Sequence, residues 1–186
     1  MAYLNLQQLL DLNFAHLGND VLISDKASVY NPESISIGDN SRIDDFCVIS
    51  GNLSIGRNVH ITPQCLLAGG DINPGLVIND FATLAYGAKV FTQSDDYHGY
   101  SMTNSTVPKV FKNELKASVV IGRHAIIGAG CIVLPGVYIS DGTSIGANSL
   151  VNKSTKPWSI YFGSPARYSA PRSKDLLTLE AQYLNE

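Results

Sequence analysis

Between Ile121 and Val151 an apolar residue falls at every sixth position: Ile121, Ile127, Val133, Ile139, Ile145 and Val151. Two residues before each stands something small or β-branched, namely Val119, Ala125, Cys131, Val137, Thr143 and Ser149. Gly122, Gly128 and Gly146 directly follow members of the series. A helix repeats at about 3.6 residues and a strand at about 2, so neither produces this beat. A coil of short parallel strands does. Each hexad supplies one short face, the large apolar residue points inward, and successive coils stack at about 4.8 Å. The pattern predicts a parallel β-helix of hexapeptide repeats.

The same beat extends toward the N-terminus. Ile23, Val29 and Ile35 begin it, and Asn31-Pro32 displaces it by two positions. It then runs through Ile37, Ile43, Ile49, Ile55, Ile61 and Leu67, breaks over the Gly- and Pro-containing Ala68 to Gly75, and resumes at Ile78, Leu84 and Val90. Residues 93–118 lose it altogether. Long loops in compact domains are commonly functional, and insertions in a solenoid commonly build its binding face. Tyr97, Tyr100, Met102 and Phe111 within the insertion favour an ordered loop.

Both ends read as short helices. Leu6, Leu9 and Leu10 have helical spacing behind Asn5 as a cap, and this segment is expected to close the first coil. In the tail Leu176, Leu177, Leu179, Tyr183 and Leu184 suggest a helix packed on the last coil, with Ser173 as its cap. The chain thus divides, within one domain, into a lead-in over 1–20, the β-helix over 21–156 with its loop, and a C-terminal segment over 157–186.

Charged residues make up only 16% of the chain, against about a quarter in ordinary domains, which suits flat coil faces covered by further copies. A net charge of −3 with no Lys/Arg run argues against a nucleic-acid partner. No apolar run is long enough to span a bilayer, and Met1 to Leu12 lacks the basic start and apolar block of a signal peptide. Cys47, Cys65 and Cys131 all occupy the small inward position, so they read as core residues in a reducing, cytoplasmic compartment.

The series IGRHAI-IGAGCI-VLPGVY-ISDGTS-IGANSL, closed by FGSPAR, resembles the hexapeptide acyltransferases over roughly residues 20–172. The IGAG, IGANSLV-NK and GSPAR elements are similar to the branch holding galactoside, maltose and amino-sugar acetyltransferases. That resemblance implies a left-handed β-helix, a homotrimer, and acetyl-CoA lying between neighbouring coils, with no metal. The opening NVLISDKASVYNPESISIGDNSRIDDFCVIS and the loop SDDYHGYSMTN resemble enzymes of bacterial surface-polysaccharide synthesis. Among these are N-acetyltransferases acting on dTDP-4-amino-4,6-dideoxyglucose.

Acyl transfer from a thioester needs a base for the acceptor, a donor for the developing oxyanion, and a grip on CoA. Of four histidines, His16 reads as a surface or turn residue, and His60 and His124 as members of a solvated face. His98 alone sits in the insertion, with Asp95, Asp96, Tyr97 and Tyr100 around it, where a carboxylate would orient its imidazole. An ungapped comparison with the family's catalytic histidine falls on Asp95 instead, which leaves an aspartate base, or an amine needing little help, open. For the oxyanion the resemblance points to the backbone N–H of Ala129. For CoA it points to Ala147, Asn152, Lys153 and Arg167, with Lys156 and Arg172 as assistants. Trp158 suits core filling or an adenine contact.

The leading expectation is therefore an acetyl-CoA-dependent transferase acting on the amino group of a dTDP-linked 4-amino-4,6-dideoxy sugar. Sugar O-acetylation of the galactoside or maltose type is the alternative. From other classes, a zinc-dependent carbonic anhydrase would need a third convergent histidine beside His60 and His124. A non-catalytic scaffold would need neither the polar loop nor the IGAG-to-GSPAR series.

Overall fold

The computed structural model describes residues 2–185 of the 186. Short strands recur on three faces, and a passage through all three makes one rung. The first face holds His16–Leu17, Ile35–Ile37, Leu53–Ile55, Leu76–Ile78, Val119–Ile121 and Tyr138–Ile139. The second holds Leu22–Ile23, Arg42–Ile43, His60–Ile61, Thr83–Leu84, Ile126–Ile127, Ser144–Ile145 and Ser159–Phe162. The third holds Ser28–Tyr30, Val48–Ser50, Leu66–Ala68, Lys89–Phe91, Ile132–Val133 and Leu150–Val151. Neighbours within each face pair in parallel and in register, Ile43 beside Ile61 and Ile61 beside Leu84. This is the parallel β-helix that the six-residue beat requires.

The interior follows from the same beat. Ile121, Ile127, Val133 and Ile139 are fully buried, as are the small residues Ala125 and Cys131 between them. Each large side chain so enclosed contributes roughly 1.5–3 kcal/mol of transfer free energy. Toward the C-terminal end hydroxyls replace methyls without loss of hydrogen bonding. Ser140 donates to the Thr155 carbonyl at 2.7 Å, and Thr143 and Thr155 share a bond of 3.1 Å.

At the corners the chain turns through left-handed conformations, and two stacked columns of these turns matter below. One corner passes through Asn40, Asn58, Phe81, His124 and Trp158, all at positive φ. The other passes through Phe46, Gln64, Gly87, Gly130 and Asn148. Each residue's N–H donates to the rung below, as Gln64 N–H does to Asp45 at 3.0 Å and Gly130 N–H to Tyr86 at 2.8 Å. Gly146 is fixed by space, because a Cβ there would enter the ring of Phe162.

The N-terminal helix α1 (Leu6–Asp11) is capped as expected by Asn5, with Gln8 completing a capping box. Only Leu9 of its three leucines is buried; Leu6 and Leu10 face outward. The chain before α1 lies against the first rung, where Leu4 N–H donates to the Ile23 carbonyl at 2.9 Å.

The C-terminal region departs from expectation in three ways. Residues Arg167–Pro171 fold back antiparallel to Ser159–Phe162 and cover that edge of the second face. Helix α2 (Leu176–Tyr183) begins after Asp175, not Ser173, whose hydroxyl accepts from the Asp175 N–H at 3.1 Å. Finally, none of the α2 leucines is fully buried. The helix docks along the first corner through Glu180 and Tyr183, leaving Leu179 exposed. Glu180 pairs with Arg123 and with His124, the latter at 3.0 Å, while the Tyr183 hydroxyl accepts from Asn58 at 3.0 Å. His124 is therefore a nearly buried structural residue stacked on Phe81, not part of a solvated face.

Candidate active site

The inserted loop leaves the coil at Thr92, whose buried hydroxyl donates to the Ala68 carbonyl at 2.9 Å. Its two limbs, Gln93–Ser94 and Leu115–Lys116, pair antiparallel and close its base. Lys116 reaches Asp71 at 2.6 Å and Glu114 at 3.6 Å, and Lys112 reaches Glu114 at 2.7 Å. Hydrogen bonds from Lys116 and Lys112 hold the Asp71 and Glu114 carboxyls below their usual range. The Lys116–Asp71 pair is exposed and individually weak, whereas Lys112 is nearly buried against Glu114; together they link the loop's base to the coil.

Between the loop and the third face lies a groove of about 1370 Å³. The coil contributes Ile132, Leu134, Leu150 and Asn152, and the loop contributes Asp95, Asp96 and His98. An apolar wall facing a polar rim suits a ligand with a flexible chain and a reactive polar end.

The three loop candidates divide by role. The Asp96 carboxylate accepts from the His98 N–H at 2.8 Å, the Ser101 N–H at 3.0 Å and the Ser101 hydroxyl at 3.1 Å. These bonds, the one from the His98 backbone foremost, hold its pKa below the ordinary value. Asp96 thus shapes the loop. The His98 imidazole stacks beside Tyr100 and pairs with no carboxylate among the described residues, so the expected orienting pair is not formed there. Asp95 is exposed and carries no ion pair within the described residues.

Ala129 and Ala147 stand one above the other at the second corner, which adjoins the groove, with Asn148 N–H donating to the Ala129 carbonyl at 2.8 Å. Neither alanine's own N–H finds an acceptor among the described residues. A stationary, unpaired N–H at a rigid corner is what oxyanion stabilisation requires. Lys153 is exposed beside Asn152, and Arg167 is exposed at the start of the antiparallel strand, its guanidinium donating to the Ala166 carbonyl at 3.1 Å. The structure brings Asn152, Asp95, Asp96 and His98 into one groove; Ala129, Ala147, Lys153 and Arg167 lie outside its lining.

Arg172 is committed to the fold. It donates to the carbonyls of His124 at 2.8 Å and Gly142 at 3.0 Å, and burial lowers its pKa. Trp158 sits half-buried over Gly142, with Lys174 above its ring.

Sequence reasoning passed over one cluster. On the outward side of the second face the buried Asp44 carboxylate accepts from Arg42 Nε at 2.6 Å and pairs with His60 Nε2 at 2.9 Å. The hydrogen bond to Asp44 raises the Arg42 pKa. The spacing between Arg42 and His60 puts them side by side on successive rungs, but only the register reveals it.

Residues 34–69 and 118–153 match the family model described as bacterial transferase hexapeptide, six repeats. The chain is 39% identical to the dTDP-4-amino-4,6-dideoxy-D-glucose acyltransferase of Escherichia coli, over 98% of this chain and 95% of that protein. It belongs to the hexapeptide-repeat acyltransferases. Its fold is that of AntD, an N-acyltransferase from Bacillus cereus solved with dTDP and 3-hydroxybutyryl-CoA. The TM-score is 0.96 at 39% identity, covering 98% of this chain and 96% of AntD. A serine variant of AntD, solved with dTDP-4-amino-4,6-dideoxyglucose and coenzyme A, matches equally, with a TM-score of 0.96 at 39% identity over 99% and 98% of the two chains. Its three thiols, Cys47, Cys65 and Cys131, are all buried.

Proposed function

We propose that this acyltransferase moves an acetyl group from acetyl-CoA to the amino group of a dTDP-linked 4-amino-4,6-dideoxy sugar. The observation that carries the reading is the groove between loop and coil, in a chain similar from end to end to enzymes solved with CoA and that amino sugar nucleotide. The pantetheine arm lies on Ile132 and Leu150, Asn152 holds its amides, and Lys153 and Arg167 meet its phosphates. The Ala129 N–H faces the thioester oxygen.

The reaction is a direct transfer. His98 or Asp95 takes a proton from the sugar ammonium, and the freed amine attacks the thioester carbon. Negative charge collects on the carbonyl oxygen opposite Ala129 N–H. The intermediate then collapses, expelling the CoA thiolate, which takes up the proton that the attacking nitrogen sheds as it becomes an amide. Asp96 keeps the loop in place and stays outside the proton path.

In this reading the enzyme is a homotrimer whose outward apolar faces, such as Ile126 and Tyr138, are covered by neighbouring copies. It works in the cytoplasm on precursors of a bacterial surface polysaccharide. A thiol-release assay with acetyl-CoA tests it against dTDP-4-amino-4,6-dideoxyglucose, UDP-linked amino sugars and simple galactosides. Turnover of the dTDP amino sugar supports it; turnover of hydroxyl acceptors alone would replace it with O-acetylation.

A further inference from the structure

The second corner is a ladder whose successive rungs present different chemistry. Tyr86 lies one rung below Ala129, since its carbonyl accepts from Gly130 N–H at 2.8 Å, and its side chain is 64% exposed. On the adjoining second face Ile126, Thr83, His60 and Arg42 stand in register, one per rung. At about 4.8 Å per rung, His60 lies roughly 10 Å and Arg42 roughly 14 Å below the level of Ala129. Phe46, at the corner on the Arg42 rung, is 58% exposed, with the Lys26 ammonium 5.7 Å from its ring centroid.

Those spacings decide what His60 can do within one chain. Two rungs put it beyond hydrogen-bond reach of a carbonyl held at Ala129, so it is no base for that reaction. They suit the far end of the acceptor. About six bonds of roughly 1.5 Å separate a 4-amino nitrogen from the nearer phosphorus of a nucleotide sugar. Asp44 meanwhile pairs with both basic side chains, Arg42 on its own rung and His60 on the next. With Nε2 held by Asp44, His60 Nδ1 has no partner among the described residues, and the side chain is partly exposed.

Resting on the acceptor proposed above, we infer that the Asp44-held pair His60 and Arg42 binds the diphosphate of a nucleoside diphosphate sugar, with Phe46 stacking its base. The sugar then spans Tyr86 and offers its amine at Ala129. The linear order of the ligand follows the linear order of the rungs. Asp44 is a positioning residue, and no Gly-rich phosphate loop is needed.

The test titrates thymidine diphosphate, thymidine and CoA separately into the intact enzyme and into His60→Ala and Phe46→Ala. Losing one charge-assisted hydrogen bond costs about tenfold or more in affinity. His60→Ala should weaken thymidine diphosphate by that factor, leave thymidine and CoA unchanged, and raise KM for the amino sugar nucleotide by the same factor. Phe46→Ala should weaken thymidine and thymidine diphosphate alike. Unchanged thymidine diphosphate affinity in both variants would overturn the ladder, as would a fall in kcat at constant KM for His60→Ala. Failure to acylate any amino sugar nucleotide, with thymidine diphosphate still held through His60 and Phe46, would sink the reaction and leave the binding site standing.

Discussion

The Asp96 carboxylate is bonded to the main-chain N–H of His98 at 2.8 Å, and the imidazole of His98 stands clear of it. Asp96 therefore sets the loop's shape, while the proposed proton acceptors, His98 and Asp95, stand apart from that network. Asp96→Ala should speed amide exchange and proteolysis across residues 93–118 and depress activity, whereas His98→Ala should depress activity without loosening the loop. Equal loosening in both variants would contradict this division.

The same carboxylate gives a pH dependence with a definite sign. Its folded pKa lies below the ordinary aspartate value, because bonds from the His98 backbone, Ser101 and their neighbours favour the charged form. A depressed carboxylate contributes ordering in full above the unfolded pKa of about 3.9 and loses it as pH falls through the folded value. Loop protection should thus be flat from neutral pH down to about 4 and decline only below. Hydrogen exchange against pH reads this directly, and a decline near pH 6 would point to another group.

Removing the Ala129 N–H should strike the transition state more than binding. Proline is acceptable at this corner, because Pro63 occupies the matching position two rungs below, its carbonyl accepting from Gly87 N–H at 3.0 Å. Ala129→Pro should keep its melting temperature and CoA affinity while kcat falls by about 10²–10³. A variant with unimpaired kcat would remove Ala129 from the mechanism.

The thiols should be silent. Cys47 and Cys131 are pushed above the ordinary thiol pKa, Cys47 by its contact with Cys65 and by burial, Cys131 by burial; Cys65 is lowered by its contact with Cys47, and only its burial shields it. A thiol reagent should label none of the three in the native protein and all of them in denaturant.

The two histidines outside the loop show what a sequence can and cannot expose. The hexad beat marks Ile61 and Ala125 as interior because inward residues repeat at a fixed interval. Outward residues obey no such rule, and their partners come from other rungs or from the tail. His60 and His124 look alike in the sequence. One meets Asp44 on the rung below it, and the other meets Glu180, distant in the chain. The loop was visible as a loss of periodicity, but which of its carboxylates would turn toward the backbone depends on Asx-type bonds at Asp96 that spacing leaves open. The antiparallel return of Arg167–Pro171 was hidden for a simpler reason. Alternating apolar residues are scarce there, and the strand is held mainly by its backbone.

Breaking the tail's attachment should be costly. Glu180 is nearly buried between Arg123 and His124, so Glu180→Ala leaves His124 without its partner. The loss should be about 1–3 kcal/mol, or roughly 2–4 °C in Tm for each kcal/mol. Calorimetry of Glu180→Ala beside Leu179→Ala, whose side chain is exposed, separates the clasp from generic loss of helix.

A solenoid is nearly one-dimensional: each repeat touches only the repeats beside it, so it can unravel from an end one unit at a time. Helix α2 alters that. Through Tyr183 it holds Asn58, through its ring edge Phe81, and through Glu180 the corner at His124, three successive rungs from mid-stack. The chain's last segment is thereby tied to its middle. Unravelling that reaches the rungs of Asn58, Phe81 and His124 must release this brace, so the rungs that carry Tyr86 and Ala129 share one clasp.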